Sequence, residues 1–191
     1  LVFTYTGHAG RGLYLYDGSA LRRPPEIFLS NRDIEENSPV GTTVGTVSIR
    51  NSDPGDTYTY SIVSPDVPFH VDNGNQFQVA DLLDYETETQ HDVMIRATNA
   101  SGERFDGTVA VNVLDVNEPP VISELSDAPD PVLQPGGLML QAGQVSDPDE
   151  GDSVTKVRFY LDSNSDGEWD SGDDVLGTDT DGTDVWSVTV G

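Results

Sequence analysis

Apolar and polar residues alternate along much of this chain with a period of two. In "DVMIRA", Val93 and Ile95 share one face while Asp92 and Arg96 share the other, and in "GTVAVNVLD" Val109, Val111 and Val113 repeat the pattern. "YTYSIV", "QFQVA", "VRFYLD" and "WSVTV" add further short strands, each closed by a cluster of Gly, Pro, Asn or Asp. A helical period is hard to find anywhere. Short strands at turn-punctuated spacing predict an all-β protein built from sandwiches.

Two proline pairs divide the pattern, "RRPPE" at 22–26 and "NEPPV" at 117–121. Paired prolines stiffen an extended connection and are excluded from central strands. They predict a stub over residues 1–23, a sandwich over 24–118 and a second β domain over 119–191. The second is shorter than the roughly 100 residues of an immunoglobulin-type sandwich, so it is expected to be incomplete, lacking its last strand or two. The stub contains a strand, "LYLY", a "DG" turn, and Arg11, Arg22 and Arg23.

Charge narrows the function. The chain carries 34 Asp and Glu against 9 Lys and Arg, a formal net charge of −25 at pH 7. A polyanion releases no counterions from nucleic acid, and the basic stripe of a nucleic-acid binder is missing. Anionic membrane surfaces are disfavoured on the same ground. With 35% hydrophobic residues in alternating runs, the chain can nevertheless build cores, provided that its carboxylates find partners. Cysteine is absent, which removes disulfides and thiolate metal sites. No stretch approaches the 18 or so apolar residues of a membrane span, so no direct membrane insertion is expected, and no signal peptide is visible. The chain starts at Leu1, which reads as a fragment of something longer.

Four motifs then occur in order: "IEENSPVGTTVGTV", "LDYE", "ATNASG" and "DVNEPP". With this set, residues 24–120 resemble a cadherin repeat: its opening strand, its LDRE element, its late turn and its closing DxNDNxP linker. The resemblance implies a Greek-key sandwich with calcium at the boundary to the next domain. It implies as ligands Glu36, Asp84, Glu86, Asp115, Asn117 and Glu118, completed by Asp147 and Asp149 of "VSDPDEGD". Physical chemistry agrees, because calcium takes six to eight oxygen ligands with little geometric demand, and carboxylates that repel when gathered become attractive around a dication. Glu118 and Pro119 depart from the linker pattern, standing where the family has Asp and Asn. Asn51, Asp53 and Asn99, together with Arg22 and Arg23, depart from it at the upstream end. No full calcium cluster is therefore expected at the N-terminal end of this sandwich.

A second cation signal lies at 162–173, "DSNSDGEWDSGD". It fits the EF-hand loop, with Asp162, Asn164 and Asp166 at positions 1, 3 and 5, Gly167 at the sharp turn, the Glu168 carbonyl at 7, Asp170 at 9 and Asp173 at 12. Asp173 replaces the usual Glu, so a modest affinity is expected. Helical flanks are not evident, which makes this an EF-like loop between strands. The stretch 154–182 around it is similar to immunoglobulin-like modules of bacterial surface adhesins.

The remaining chemistry reads more plainly. His8, His70 and His91 lack a partnered nucleophile, so no enzyme is expected. Trp169 reads as a loop-packing residue and Trp186 as a core residue, and the acids at 179–182 read as a polar turn. Together these features predict calcium-binding structural and adhesion modules of a large secreted or cell-surface protein, working with calcium ions and with other adhesin chains or extracellular polysaccharide. A carbohydrate-binding or spacer module of a polysaccharide-degrading enzyme is the alternative, and it calls for an exposed aromatic strip on one sheet.

Overall fold

The computed structural model describes residues 2–7, 10–16, 21–72, 74–128 and 137–191, with side chains from Arg23 onward. His8 and the side chains of Arg11 and Arg22 thus lie outside the described residues. Every regular element among the described residues is a β-strand, so the alternating pattern is realised as an all-β fold. The chain divides into two compact units, Leu1–Val116 and Asn117–Gly191.

The first unit begins with β1 (Val2–Gly7), β2 (Gly10–Tyr16) and β3 (Leu21–Arg22), an antiparallel sheet in that order. Eight strands of a sandwich follow: β4 (Glu26–Leu29), β5 (Asp33–Glu35), β6 (Thr43–Arg50), β7 (Tyr58–Ile62), β8 (Phe69–Asp72), β9 (Gln76–Val79), β10 (Gln90–Asn99) and β11 (Arg104–Leu114). One sheet has the order β4-β6-β9-β8 and the other β5-β11-β10-β7. The chain switches sheets at each step from β4 to β8 and again between β9 and β10, which is a Greek-key path. β5 runs parallel to β11, with Ile34 opposite Val113, whereas the other pairings in these two sheets are antiparallel.

Alternation sets the core. Val93, Ile95 and Ala97 of β10 and Val109, Val111 and Val113 of β11 face Ile27, Leu29, Val47, Phe77 and Val79 of the opposite sheet. Leu83, in the loop after β9, closes the same cluster. The switch from β4 to β5 is pinned by Asn31, whose side-chain amide donates to the carbonyls of Asp33 and Val44 at 2.9 and 3.0 Å. Gly45 is needed there because a Cβ would stand 2.9 Å from the Asn31 backbone nitrogen.

The second unit contains β12 (Val121–Ala128), β13 (Leu138–Ser146), β14 (Val157–Leu161), β15 (Asp174–Asp179) and β16 (Trp186–Val190). Its sheets are β12-β13-β16 and β14-β15. The core is small: Ala142, Val157, Phe159 and Trp186 are buried, with Leu140, Val145, Leu176 and Val188 packed against them. β12 is exposed along its whole length, including Val121, Ile122 and Leu125.

Candidate metal centre

In the first unit the acids are assembled by backbone hydrogen bonds. Glu36 follows β5, and its amide donates to the Leu114 carbonyl at 3.0 Å, which extends the parallel pairing by one step. Asn37 then turns the chain at φ +54°, a left-handed conformation that Asn tolerates better than most residues, and its amide donates to the Leu83 carbonyl at 3.0 Å. The Glu36 side chain is only 3% exposed. Its Oε2 accepts the Tyr85 amide and its Oε1 the Val116 amide, each at 2.8 Å. One carboxylate thereby ties the "LDYE" segment and the end of β11 to the end of β5, bringing Glu86 and Asp115 to the same end of the sandwich as Glu36.

Asp84 serves this end differently. Its Oδ1 accepts the Thr87 amide and its Oδ2 the Thr87 hydroxyl, both at 3.0 Å, and its carbonyl accepts the Glu88 amide at 3.0 Å. In this structure, then, the carboxylate holds a turn. Glu88 lies 3.2 Å from His91 Nδ1, and the imidazole packs edge-on against Phe69. Asn99, at the opposite end, folds its own turn by accepting the amides of Ser101 and Glu103 at 3.1 and 2.9 Å.

The second unit carries its own acid group. The Asn117 side-chain amide donates to the Glu118 carbonyl at 2.9 Å, and the Glu118 amide donates to Asp149 Oδ2 at 2.9 Å. The Asp149 amide donates to Asp147 Oδ1 at 3.3 Å. Carboxylate oxygens of Asp147, Asp149 and Asp152 lie within 4.8 Å of one another. Asp149 is 8% exposed, and its Oδ1 is buried with no hydrogen-bond partner. A buried anionic oxygen without a donor is costly, and an all-oxygen donor set suits a hard cation. The residues present therefore fit calcium. Asp152 was not singled out by sequence spacing; the signal for it is Gly151, whose φ of +98° reverses the chain.

The EF-like loop is folded on its own carboxylates. Asp162 Oδ1 accepts the amides of Ser165 and Asp166, and its Oδ2 accepts the Gly167 amide at 2.9 Å. Gly167 has φ +83°, the conformation for which glycine is suited at the sharp turn. Asp166 Oδ1 accepts the Glu168 amide at 2.8 Å, and Asp173 accepts the amides of Ser163 and Asp170 at 2.9 and 3.0 Å. The Asn164 amide donates to Asp166 at 2.8 Å and to Asp170 at 3.2 Å. Among the described residues, no three acids of this loop bring oxygens within 4.8 Å of one another; here the Asn164 amide bridges two of them. Trp169 is half exposed, with the Arg158 guanidinium 5.1 Å from its ring, whereas Trp186 is buried. Neither tryptophan forms an exposed aromatic strip on a sheet.

The acids at 179–182 form a hydrogen-bonded turn. Asp179 accepts the amides of Asp181 and Ser187, which hold its carboxyl below the usual range. The Thr183 hydroxyl and amide do the same for Asp181.

These features define an all-β sandwich protein with carboxylates gathered in both units. Residues 30–114 match the Cadherin domain family model. Over 140 residues the chain is 30% identical to protocadherin gamma-C5 of Homo sapiens and of Pan troglodytes, a match covering 68% of this chain and 15% of each of those proteins. Human cadherin-12 is 30% identical over 166 residues, covering 77% of this chain and 20% of that protein. The chain thus spans at most a fifth of the length of these curated relatives. Among solved structures, human protocadherin-24 EC1-2 superposes with a TM-score of 0.51 at 19% identity, covering 72% of this chain and 65% of that one, a likeness of fold.

Proposed function

We propose that this chain is a calcium-binding structural and adhesion segment of a larger extracellular or cell-surface protein, in which calcium rigidifies the step from the cadherin domain to the unit that follows. The ligands we assign are Glu36, Asp84, Glu86, Asp115, Asn117, Glu118, Asp147 and Asp149. The observation that carries this reading is Glu36, which is buried and draws three acid-bearing segments to one end of the sandwich through the amides of Tyr85 and Val116. Two like charges about 4 Å apart repel by about 4 kcal/mol at the effective dielectric near a protein surface. A dication reverses that sign. With no cysteine for a disulfide, metal is also the available brace.

The second unit, on this reading, is an immunoglobulin-like module with its own, weaker calcium loop over 162–173, ligated by Asp162, Asn164, Asp166, the Glu168 carbonyl, Asp170 and Asp173. Its partners are calcium and other chains of the same adhesive kind, and its task is mechanical rather than enzymatic.

Calcium titration by calorimetry, paired with small-angle scattering, tests the reading. Calcium should bind with a measurable heat and reduce the maximum dimension relative to chelator. Equal dimensions in both conditions would remove the stiffening role, and an absence of binding would remove calcium altogether.

A further inference from the structure

The Asp147, Asp149 and Asp152 group holds more than the pair that the cadherin resemblance supplies. Three carboxylates from a six-residue stretch place oxygens within 4.8 Å of one another. The chain returns on itself because the Asp152 amide donates to the Asp149 carbonyl at 3.2 Å across Gly151, whose φ is +98°. That combination of bond and positive φ at the third residue belongs to a type II turn. It brings the exposed Asp152 back beside the buried Asp149. Asp149 shares one oxygen with the Glu118 amide, while the other, Oδ1, is enclosed without a donor. Its missing partner is a hydrogen-bond donor or a cation. Among protein donors it finds none, and a cation held by Asp147 and Asp152 would supply the charge.

We infer that Asp152 is a third carboxylate ligand of a calcium ion held by Asp147 and Asp149, so that this ion draws three of its ligands from the second unit alone. The inference rests on the calcium reading above and adds a residue to it. With three carboxylates, the site keeps much of its affinity when acids of the cadherin domain are neutralised. Calcium takes six to eight oxygens, so carbonyls and water complete the shell.

The test is calcium calorimetry on the full chain, comparing Asp152→Asn, Asp152→Ser, Asp149→Asn and Glu150→Gln. Glu150→Gln removes the same charge from a neighbouring exposed position. The assignment expects both Asp152 variants to weaken one ion at least about tenfold, equivalent to about 1.4 kcal/mol, with Glu150→Gln within about twofold of the parent. Both Asp152 variants should melt as the parent does in chelator. Equal losses for Asp152→Asn and Glu150→Gln would mean general electrostatics and overturn the assignment. Lower melting of the Asp152 variants in chelator would assign the residue to the turn and overturn it too. If Asp149→Asn loses an ion and Asp152→Asn does not, Asp152 is no ligand, although the calcium reading stands. A parent chain that binds no calcium would remove both.

Discussion

Glu36 and Val116 lie 80 residues apart in sequence, and the carboxylate of the first accepts the amide of the second at 2.8 Å. The other oxygen of the same carboxylate accepts the Tyr85 amide. Both oxygens are thus committed to backbone donors, and the side chain is almost fully buried. Glu36→Gln would turn an NH2 group towards one of these amides, setting donor against donor. A buried donor left without its acceptor costs about 1–3 kcal/mol. We expect that loss in urea unfolding carried out in chelator, before metal contributes anything. In calcium the loss should be larger, because the variant also removes a ligand charge. Equal stability of variant and parent in chelator would mean that the bridge does not organise this end of the sandwich.

The loop at 162–173 offers a separate readout. Trp169 sits between the loop's positions 7 and 9 with Arg158 close to its ring. Calcium would need the Asn164 carbonyl oxygen where the amide now bridges Asp166 and Asp170, and that rotation should alter the Trp169 environment. Tryptophan emission is therefore expected to shift on calcium addition, and the shift should vanish in Asp166→Ala. Trp169→Phe identifies the source of the signal, since Trp186 is buried in the core. A calcium-dependent shift that survives Trp169→Phe would place the response elsewhere. An ion bound at about 100 times its dissociation constant adds about 2.7 kcal/mol, so chelator should lower the melting temperature of the parent more than that of Asp166→Ala.

Much of this architecture was legible in the sequence because alternation and burial report the same thing. Val93, Ile95, Val109, Val111 and Val113 read as one face and are one face of the core. The strands at 58–62, 76–79, 157–161 and 186–190 read equally clearly. β12 was not legible: "VISELSDA" is exposed along its length and joins the sheet by backbone pairing with β13, which leaves little pattern to see. The segment "IEENSPVGTTVGTV", read as one opening strand, divides instead into the end of β5, a turn and most of β6, because a three-residue strand is too short to show a period of its own. At the candidate site, residue type pointed to acids but could not say which oxygens were engaged. Asp84 shows the limit, for its carboxylate folds back on Thr87, a contact fixed by rotamer rather than by spacing. Asp152 was hidden in the opposite way, brought beside Asp147 and Asp149 by a turn at Gly151.

Gly45 tests how closely β6 must approach the sheet switch. A Cβ there would stand 2.9 Å from the Asn31 nitrogen, 3.0 Å from its carbonyl oxygen and 3.0 Å from Ser30 Oγ. Two of these atoms are backbone atoms of Asn31, whose side-chain amide pins the switch from β4 to β5. Gly45→Ala should therefore destabilise by about 1–3 kcal/mol, the usual cost of overpacking. Gly41, at φ +90° with open space around its Cβ position, is a useful contrast, because its cost comes from backbone conformation alone. The urea midpoint of each variant gives the comparison, and a parent-like midpoint for Gly45→Ala would mean that the switch yields easily.

Acid sensitivity should arise in part away from any metal. The Arg96 guanidinium donates to both oxygens of Asp106 at 2.7 Å, and these bonds hold the Asp106 carboxyl below its ordinary range. Asp179 is held low chiefly by the Asp181 amide and then by that of Ser187, and Asp181 chiefly by the Thr183 hydroxyl and then by its amide. In each case the folded pKa lies below the unfolded one, so the unfolded chain binds more protons in that window. The stabilisation is complete above the unfolded carboxylate pKa and is lost as pH falls through the folded value. Urea midpoints measured in chelator from about pH 6 down to about pH 2 should therefore decline across the acid range. Asp179→Asn should flatten that decline while lowering the plateau, because the amide keeps one acceptor oxygen but has no charge to lose. A variant whose midpoint falls as steeply as the parent's would show that Asp179 is not among the groups that link acid to unfolding.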